Sequence, residues 1–270
     1  MGAPGLDFET GEIRNPKYQF TRSESWHGVL RHMTDRCNDD SPALAHLDAG
    51  GFSAWLQTAQ TSLQPGAVSI NVPCGDCRGC CRSSMFVHIQ PQEKPTLRRI
   101  PRALRFPAPG LPKGHVLMGY NDCGACPMLL NSECSIYEDR PQTCRVYDCR
   151  IFAATGIAVD RGTQPEIATR VSQWEFTYES EQSRAQQQTL QQAAQFLETN
   201  RDLFPPGFLP NFPVQLAALS IQIYSLFAAL TAPADSGAAP IADAEIAQAI
   251  VSSVRPAGTE PCGAAVSSRG

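Results

Sequence analysis

The chain is poor in the features that mark most catalytic and cofactor chemistries. It has only five histidines and offers no helical HExxH and no Ser-His-Asp arrangement, so metalloprotease and triad-hydrolase readings have no residues to rest on. A glycine-rich strand-to-helix turn of the Rossmann type is missing, and so is the radical S-adenosylmethionine spacing C-x-x-x-C-x-x-C. There is no basic excess. A formal charge of -4 and a pI near 5.7 argue against a general nucleic-acid or membrane-surface binder. The first twenty residues lack the basic start and apolar run of a secretory signal, and Leu6 stands where myristoylation needs Ser or Thr, so the expected location is cytoplasmic. The uncharged, largely apolar stretch at residues 214–234 is diluted by Gln215, Ser220, Gln222, Ser225 and Thr231. Its large apolar residues Leu216, Leu219, Ile223, Phe227 and Leu230 recur every three or four positions, which predicts a buried amphipathic helix and no membrane span.

What the chain does have is cysteine, concentrated in one place. Residues 74–81 read CGDCRGCC, four thiols in eight positions on a polar, glycine-rich stretch where a packed core would gain nothing from them. Nine of the eleven cysteines lie within residues 74–150. The same stretch carries eleven Lys or Arg against seven Asp or Glu, a net of +4, which leaves -8 on the remainder. Positive charge beside cysteines lowers thiol pKa values and offsets the negative charge of thiolate-metal centres.

Around this segment the pattern predicts an α+β protein. Residues 1–40 read as an irregular N-terminal segment, with a short helical tendency over 28–36, and residues 41–66 as a helical lead-in. In the lead-in Ser41-Pro42 resembles an N-cap, and Phe52, Trp55, Leu56 and Ala59 form the apolar face. The cysteine-rich domain is expected over 67–152, with short strands at 67–72, 85–89 and 116–120. A hairpin turning at Asn131-Ser132 places Cys126 and Cys134 at its two ends, and a capped short helix from Asp139-Arg-Pro141 presents Cys144 on its inner side. Residues 153–232 form a strand plus helical C-terminal portion: Trp174, Phe176 and Tyr178 alternate as in a half-buried strand, and a Gln-rich helix over 180–203 turns Leu190, Ala194 and Leu197 inward. Residues 233–270 read as a mostly disordered tail with one helix at 241–251, and Cys262 there is a spare thiol.

Three chemistries use clustered cysteines. Metal binding fits best, because a C-x-x-C turn lets two thiolates reach one ion while its backbone N–H groups point at the sulfurs, and Cys74, Cys77 and Cys80 make two overlapping turns of this kind. Cys81 points away from Cys80, toward a second centre or another iron of a cluster. With Cys126, Cys134, Cys144 and Cys149 the thiols number eight, enough for two tetrahedral zinc sites or for one iron–sulfur cluster with four thiols remaining. Arg78, Arg82, Arg145 and Arg150 stand within one or two positions of cysteines, where they offset thiolate charge. Disulfides are opposed by the odd cysteine total and by a chain too large to need stapling. A dithiol redox pair, Cys77 with Cys80 or Cys123 with Cys126, lacks a thioredoxin-like βαβ context.

The C-x-x-C-x-x-C-C run followed by Cys-Pro-x-Leu at 126–129, Cys134-Ser-Ile-Tyr137, Arg140-Pro141 and Cys144-Arg145 resembles, in order, the CxxCxxCC cysteine-cluster family, a zinc- or iron-chelating domain whose members include relatives of flagellin lysine N-methylase. The resemblance covers about 74–150. It implies Cys74, Cys77, Cys80, Cys81, Cys126, Cys134, Cys144 and Cys149 as metal ligands, with Cys123 an extra thiol competing with Cys126. It implies an iron–sulfur cluster of the 4Fe-4S type or zinc. As an alternative it implies a metal-dependent enzyme with S-adenosylmethionine as cofactor, acting on a protein. Crowding with an adjacent pair tips the reading toward the multinuclear centre. Of the histidines His88, next to the cluster, is the nearest to a ligand, but a core or exposed role is the simpler assignment. Tyr137 and Tyr147 read as packing rings. The basic run 94–105 reads as a solvated face, since no aromatics interleave with it; a protein partner is expected, and neither nucleic acid nor membrane.

Overall fold

A computed structural model describes residues 46–63, 70, 72–232 and 241–254. Expectations that fall wholly or mostly elsewhere, namely the irregular segment 1–40, the Ser41-Pro42 cap, the strand at 67–72 and the tail beyond 254, lie outside these residues. In chain order the elements are β1 (Leu47–Gly51), α1 (Phe52–Ser62), β2 (Val87–Ile89), α2 (Lys94–Arg99), β3 (Arg105–Pro107), β4 (Val116–Met118), β5 (Leu129–Leu130), β6 (Glu133–Cys134), α3 (Gln142–Arg145), α4 (Arg150–Thr155), α5 (Pro165–Gln173), β7 (Trp174–Thr177), α6 (Glu181–Thr199), α7 (Pro213–Thr231) and α8 (Asp243–Val254). Short 3-10 turns at Gly79–Arg82, Arg102–Leu104, Tyr137–Asp139 and Arg201–Leu203 link them. The fold is α+β, as the patterning predicts.

The helices pack around one large core. Ser180 caps α6, its hydroxyl accepting the Ser183 N–H at 3.1 Å, and the helix buries Leu190, Ala193, Ala194, Phe196 and Leu197. α7 begins at Pro213 with the fixed φ that suits a first turn, and turns Leu216, Leu219, Ile223 and Phe227 onto α6 and its neighbours. By length and composition α7 is apolar enough to cross a membrane, but here this face is packed inside the protein, the amphipathic arrangement that its period predicts. α8 closes the same core with Ile246, Ala247, Ile250 and Val251, so the tail contains a packed helix that runs three residues past the expected one.

The lead-in corrects one expectation. Residues 47–51 are a strand and the helix starts only at Phe52, although its predicted inner face of Phe52, Trp55, Leu56 and Ala59 is buried as expected. Two glycines end the strand, Gly50 at φ 87 in the region that favours glycine, while parallel pairing with β7 satisfies its backbone.

A smaller core forms under the antiparallel sheet β2-β4-β3, where Ile89, Ile100, Met118 and Ile136 are buried with Cys126, Cys134 and Met128 against them. The β5–β6 hairpin turns at Asn131 and Ser132, both with positive φ (50 and 62), as a two-residue turn of the I′ type requires. α3 has no side-chain cap from Asp139. Its N-cap is Pro141, and the distant Glu93 carboxylate accepts the Gln142 N–H at 2.6 Å. The loop 72–81 and α4 join the small core to the large one.

A buried polar cluster makes that joint. The Asp148 carboxylate accepts from Arg150 Nε at 2.9 Å and Nη2 at 2.8 Å and from the Trp55 indole at 2.9 Å, while Arg150 Nη1 donates to the Ala49 carbonyl at 3.0 Å. Both charged side chains are nearly enclosed, at 7% and 10% exposure. A paired charge in such surroundings is tolerated, whereas a lone one is costly. Asp148→Ala should therefore lower the unfolding free energy by about 3–5 kcal/mol, read from urea denaturation, because it leaves Arg150 buried without its carboxylate.

Candidate metal centre

The CGDCRGCC stretch is held in shape by its own backbone. The Cys77 N–H donates to the Cys74 carbonyl at 3.0 Å and the Cys81 N–H to the Arg78 carbonyl at 2.9 Å, two tight turns in succession. The Gly79 N–H reaches the Cys77 sulfur at 3.5 Å, the N–H···S arrangement expected of a C-x-x-C turn. Arg78 locks the loop by donating to the carbonyls of Gly75, Cys77 and Ser132, the last at 2.7 Å on the tip of the β5–β6 hairpin. The Cys126 N–H donates to the Cys81 carbonyl at 2.7 Å and ties the second cysteine stretch to the first. Gly79 is buried against α5, where a Cβ would stand 3.2 Å from the Glu166 carbonyl carbon and the Ile167 nitrogen.

All nine described cysteines are free thiols. Their mutual influence divides them into two sets. Cys74 is raised by burial first and then by Cys77 and Asp148, with Arg170 and Arg150 opposing. Cys149 is pushed up to about 12 by burial, against the Trp174 indole N–H that donates to its sulfur at 3.2 Å, and Asp148, Cys74 and Cys77 add to the rise. Cys74, Cys77 and Cys149 therefore form one set, on the side of the large core, to which Cys149 itself belongs.

The second set lies against the small core. Cys126 is raised by burial and by Cys81 and Cys134, with the Met128 and Leu129 N–H groups at its sulfur opposing. Cys134 is raised by burial and by Cys81, with the Ile136 N–H opposing. Cys144 is pushed up to about 12 by burial and by Cys126, Cys81 and Cys134. The residue as a whole is exposed, yet its thiol faces inward, near enough to Cys126, Cys81 and Cys134 for each to act on it.

Cys80 and Cys81 belong to different sets although they are adjacent. Their thiols are hydrogen bonded, which lowers Cys81 to about 7, with burial opposing and Arg78 and Arg82 assisting, and raises Cys80. Cys80 also feels both Cys144 and Cys74, so it stands between the sets. Tyr147 is raised by burial and by Cys149, Cys80, Asp148 and Cys77, in that order, and so packs within the first set as the ring it was expected to be. Tyr137 is exposed, with the Arg140 guanidinium 4.0 Å over its ring. Cys123 is exposed on a loop whose N–H groups at Cys123 and Ala125 are taken by the Asn121 side chain. Among the described residues no three Cys, His, Asp or Glu side chains stand close enough together to hold a single ion as they are.

Residues 73–158 match a family model described as a "Putative zinc- or iron-chelating domain", CxxCxxCC. Over this stretch, under a third of its length, the chain is similar to the CxxCxxCC family. The domain therefore includes every one of the nine described cysteines and reaches through α4 to residue 158, eight residues beyond the stretch legible by eye. The match supports metal binding as the chemistry of the CxxCxxCC domain. No curated protein and no solved structure matches the chain.

Two residues that sequence reasoning missed act on the sulfurs. Trp174 was legible as a strand residue, and nothing local marks it as a donor to Cys149, 25 positions away. Asp148 is the second, acting on Cys74 and Cys149, and nothing local pairs it with its indole donor Trp55, 93 positions away. His88 stands on β2, its Nε2 2.9 Å from His115 Nδ1, a pairing of two imidazoles that leaves it outside both thiol sets. Burial and then His115 lower the His88 pKa below 6.5. A depressed histidine contributes stability that is full above its unfolded value and is lost as pH falls below about 6.5 toward the folded value. The melting temperature should accordingly drop more steeply between about pH 6.5 and 5 in the parent than in His88→Gln. Gly79→Ala, which forces the loop off α5, should cost about 1–3 kcal/mol in urea denaturation.

Proposed function

We propose that the CxxCxxCC domain is a metal-binding module in which eight thiolates hold iron–sulfur or zinc, divided between two sets: Cys74, Cys77, Cys80 and Cys149, and Cys81, Cys126, Cys134 and Cys144. The observation that carries this reading is the packing of the thiols, Cys149 within the large core and Cys126 and Cys134 against the small one, with the Cys126 N–H on the Cys81 carbonyl tying the two cysteine stretches together. Loops whose N–H groups point at Cys77, Cys126 and Cys134 suit thiolates as donors. Arg78 and Arg82 beside Cys81, and Arg140 beside Cys134 and Cys144, offset part of the charge.

Soft sulfur donors without imidazole or carboxylate match zinc and iron–sulfur centres and exclude calcium or magnesium. Iron–sulfur is favoured over zinc. The adjacent pair Cys80-Cys81 in the crowded C-x-x-C-x-x-C-C run suits a multinuclear centre better than one isolated ion. When bound, such a centre supplies structural cross-linking, electron storage or sensing. The chain's residues hold the sulfurs, screen Cys149 behind Trp174 and anchor the loop through Asp148 and Arg150. Methyl transfer with S-adenosylmethionine, the alternative that the family resemblance raises, has no cavity to favour it in the two grooves described. One, of about 420 Å³, lies at the α6–α7 connection away from the thiols, and the other, of about 250 Å³, is a shallow recess by Cys134 and Tyr137.

Anaerobic purification with elemental analysis tests the proposal. The expected protein has broad visible absorption, iron and acid-labile sulfide. A colourless protein with two zinc ions per chain moves the assignment to zinc, and native protein in which every thiol alkylates freely without metal release refutes both. Cys149→Ser and Cys134→Ser should each remove about half of the bound metal and Cys123→Ser none, since each of the first two strips a ligand from a different set.

A further inference from the structure

Cys149 alone among the described cysteines is buried, and a buried indole is aimed at its sulfur. Trp174 Nε1 donates to Cys149 Sγ at 3.2 Å, and Trp174 is only 6% exposed, so the bond forms away from water. The ring has little freedom to move. Trp174 opens β7 in register with Leu47 of β1, its backbone N–H ends α5 by donating to the Val171 carbonyl, and the Arg170 guanidinium stands 5.9 Å from the ring centroid. Strand, helix end and cation together fix where the N–H points. On the other side of Cys149 the preceding residue, Asp148, directs its carboxylate to Arg150 and to the indole of Trp55. The two described tryptophans therefore have separate acceptors, Trp55 the carboxylate and Trp174 the sulfur.

An indole N–H donates and cannot accept, unlike a hydroxyl, so the sulfur that it meets acts as acceptor. A neutral thiol is a weak acceptor, whereas a thiolate receives a charge-assisted bond roughly twice as strong as a neutral one. A buried indole does need some partner, but an oxygen serves that need better, as the Asp148 carboxylate does for Trp55. The pairing of Trp174 with sulfur fits the deprotonated form, which is the form that ligates metal. We propose that Trp174 is a positioning residue of the metal centre: its N–H holds the Cys149 sulfur in place as a metal-bound thiolate and slows the loss of metal from the first set. This assignment rests on Cys149 being a ligand, as proposed above, and gives the retention of metal to a side chain that is not itself a ligand. In the second set the N–H groups at Cys126 and Cys134 are main-chain ones, from Met128, Leu129 and Ile136. In the first set the donor sits on a side chain, so its contribution can be removed by itself.

The test follows metal release from full-length protein into excess EDTA under anaerobic conditions, by elemental analysis, starting with the metal that the protein carries on purification. Two variants are compared with the parent. Trp174→Phe removes the N–H and part of the ring, and site-specific replacement of Trp174 by benzothienylalanine keeps the fused two-ring shape while sulfur takes the place of the N–H. Each should speed the release of half of the metal by about 10-fold or more and leave the other half at the parent rate, since removing an outer partner of a ligand costs about 10- to 100-fold. With cobalt(II) bound in place of the native metal, the sulfur-to-metal charge-transfer band should move to longer wavelength in both variants, because a thiolate without its donor is more electron-rich. A purely structural role leaves that band where it is. Release at the parent rate, or an unmoved band, in the benzothienylalanine protein overturns the proposal whatever Trp174→Phe does, and leaves Trp174 as a packing ring. Full parental metal content in Cys149→Ser overturns instead the reading of Cys149 as a ligand, and this assignment with it.

Discussion

The buried pairing of Asp148 with Arg150 is the interaction on which the arrangement of this protein depends. A carboxylate and a guanidinium this enclosed are stable only together and only if their remaining hydrogen-bonding groups are met. Trp55 from α1 and the Ala49 carbonyl from β1 meet them. Two stretches about a hundred residues apart, Ala49 to Trp55 and Asp148 to Arg150, are thereby fixed to one point, directly beside Cys149. The cysteine segment is thus carried on the helical core through a specific polar joint, and the position of Cys149 is set by the large core while Cys126 and Cys134 are set by the small one.

Much of this was legible in the residues. The Asn131-Ser132 turn, the inward face of α6, the packed face of α7 and the alternation at Trp174 and Phe176 all follow from local period and turn chemistry, and local signals survive folding because they act within a few residues. Nine thiols stood out by crowding, and the family resemblance marked eight of them as ligands. What was not legible depends on distant partners. β1 reads as helix because its pairing partner is β7, more than a hundred residues on, and no window contains both. The cap on α3 comes from Glu93 for the same reason. Arg150 was legible as a cation near cysteines, yet its guanidinium is directed to Asp148 and Ala49, and its effect on Cys74 is a lesser one.

The CxxCxxCC loop shows how glycine and arginine serve as more than filler. Gly79 lets the thiol turn press against the backbone of α5, and Arg78 spans from that turn to the hairpin tip, so loop, helix and hairpin form one braced unit without a long strand or helix of their own. Short elements interrupted by proline suffice here because each is pinned by hydrogen bonds to another.

The parallel pairing of β1 with β7 has a further consequence for how the chain is made. The whole CxxCxxCC segment is threaded between two strands that close on each other, so β1 remains without its neighbour until translation has passed Thr177. Every thiol of the cluster thus leaves the ribosome before the frame that orients Cys149 is complete.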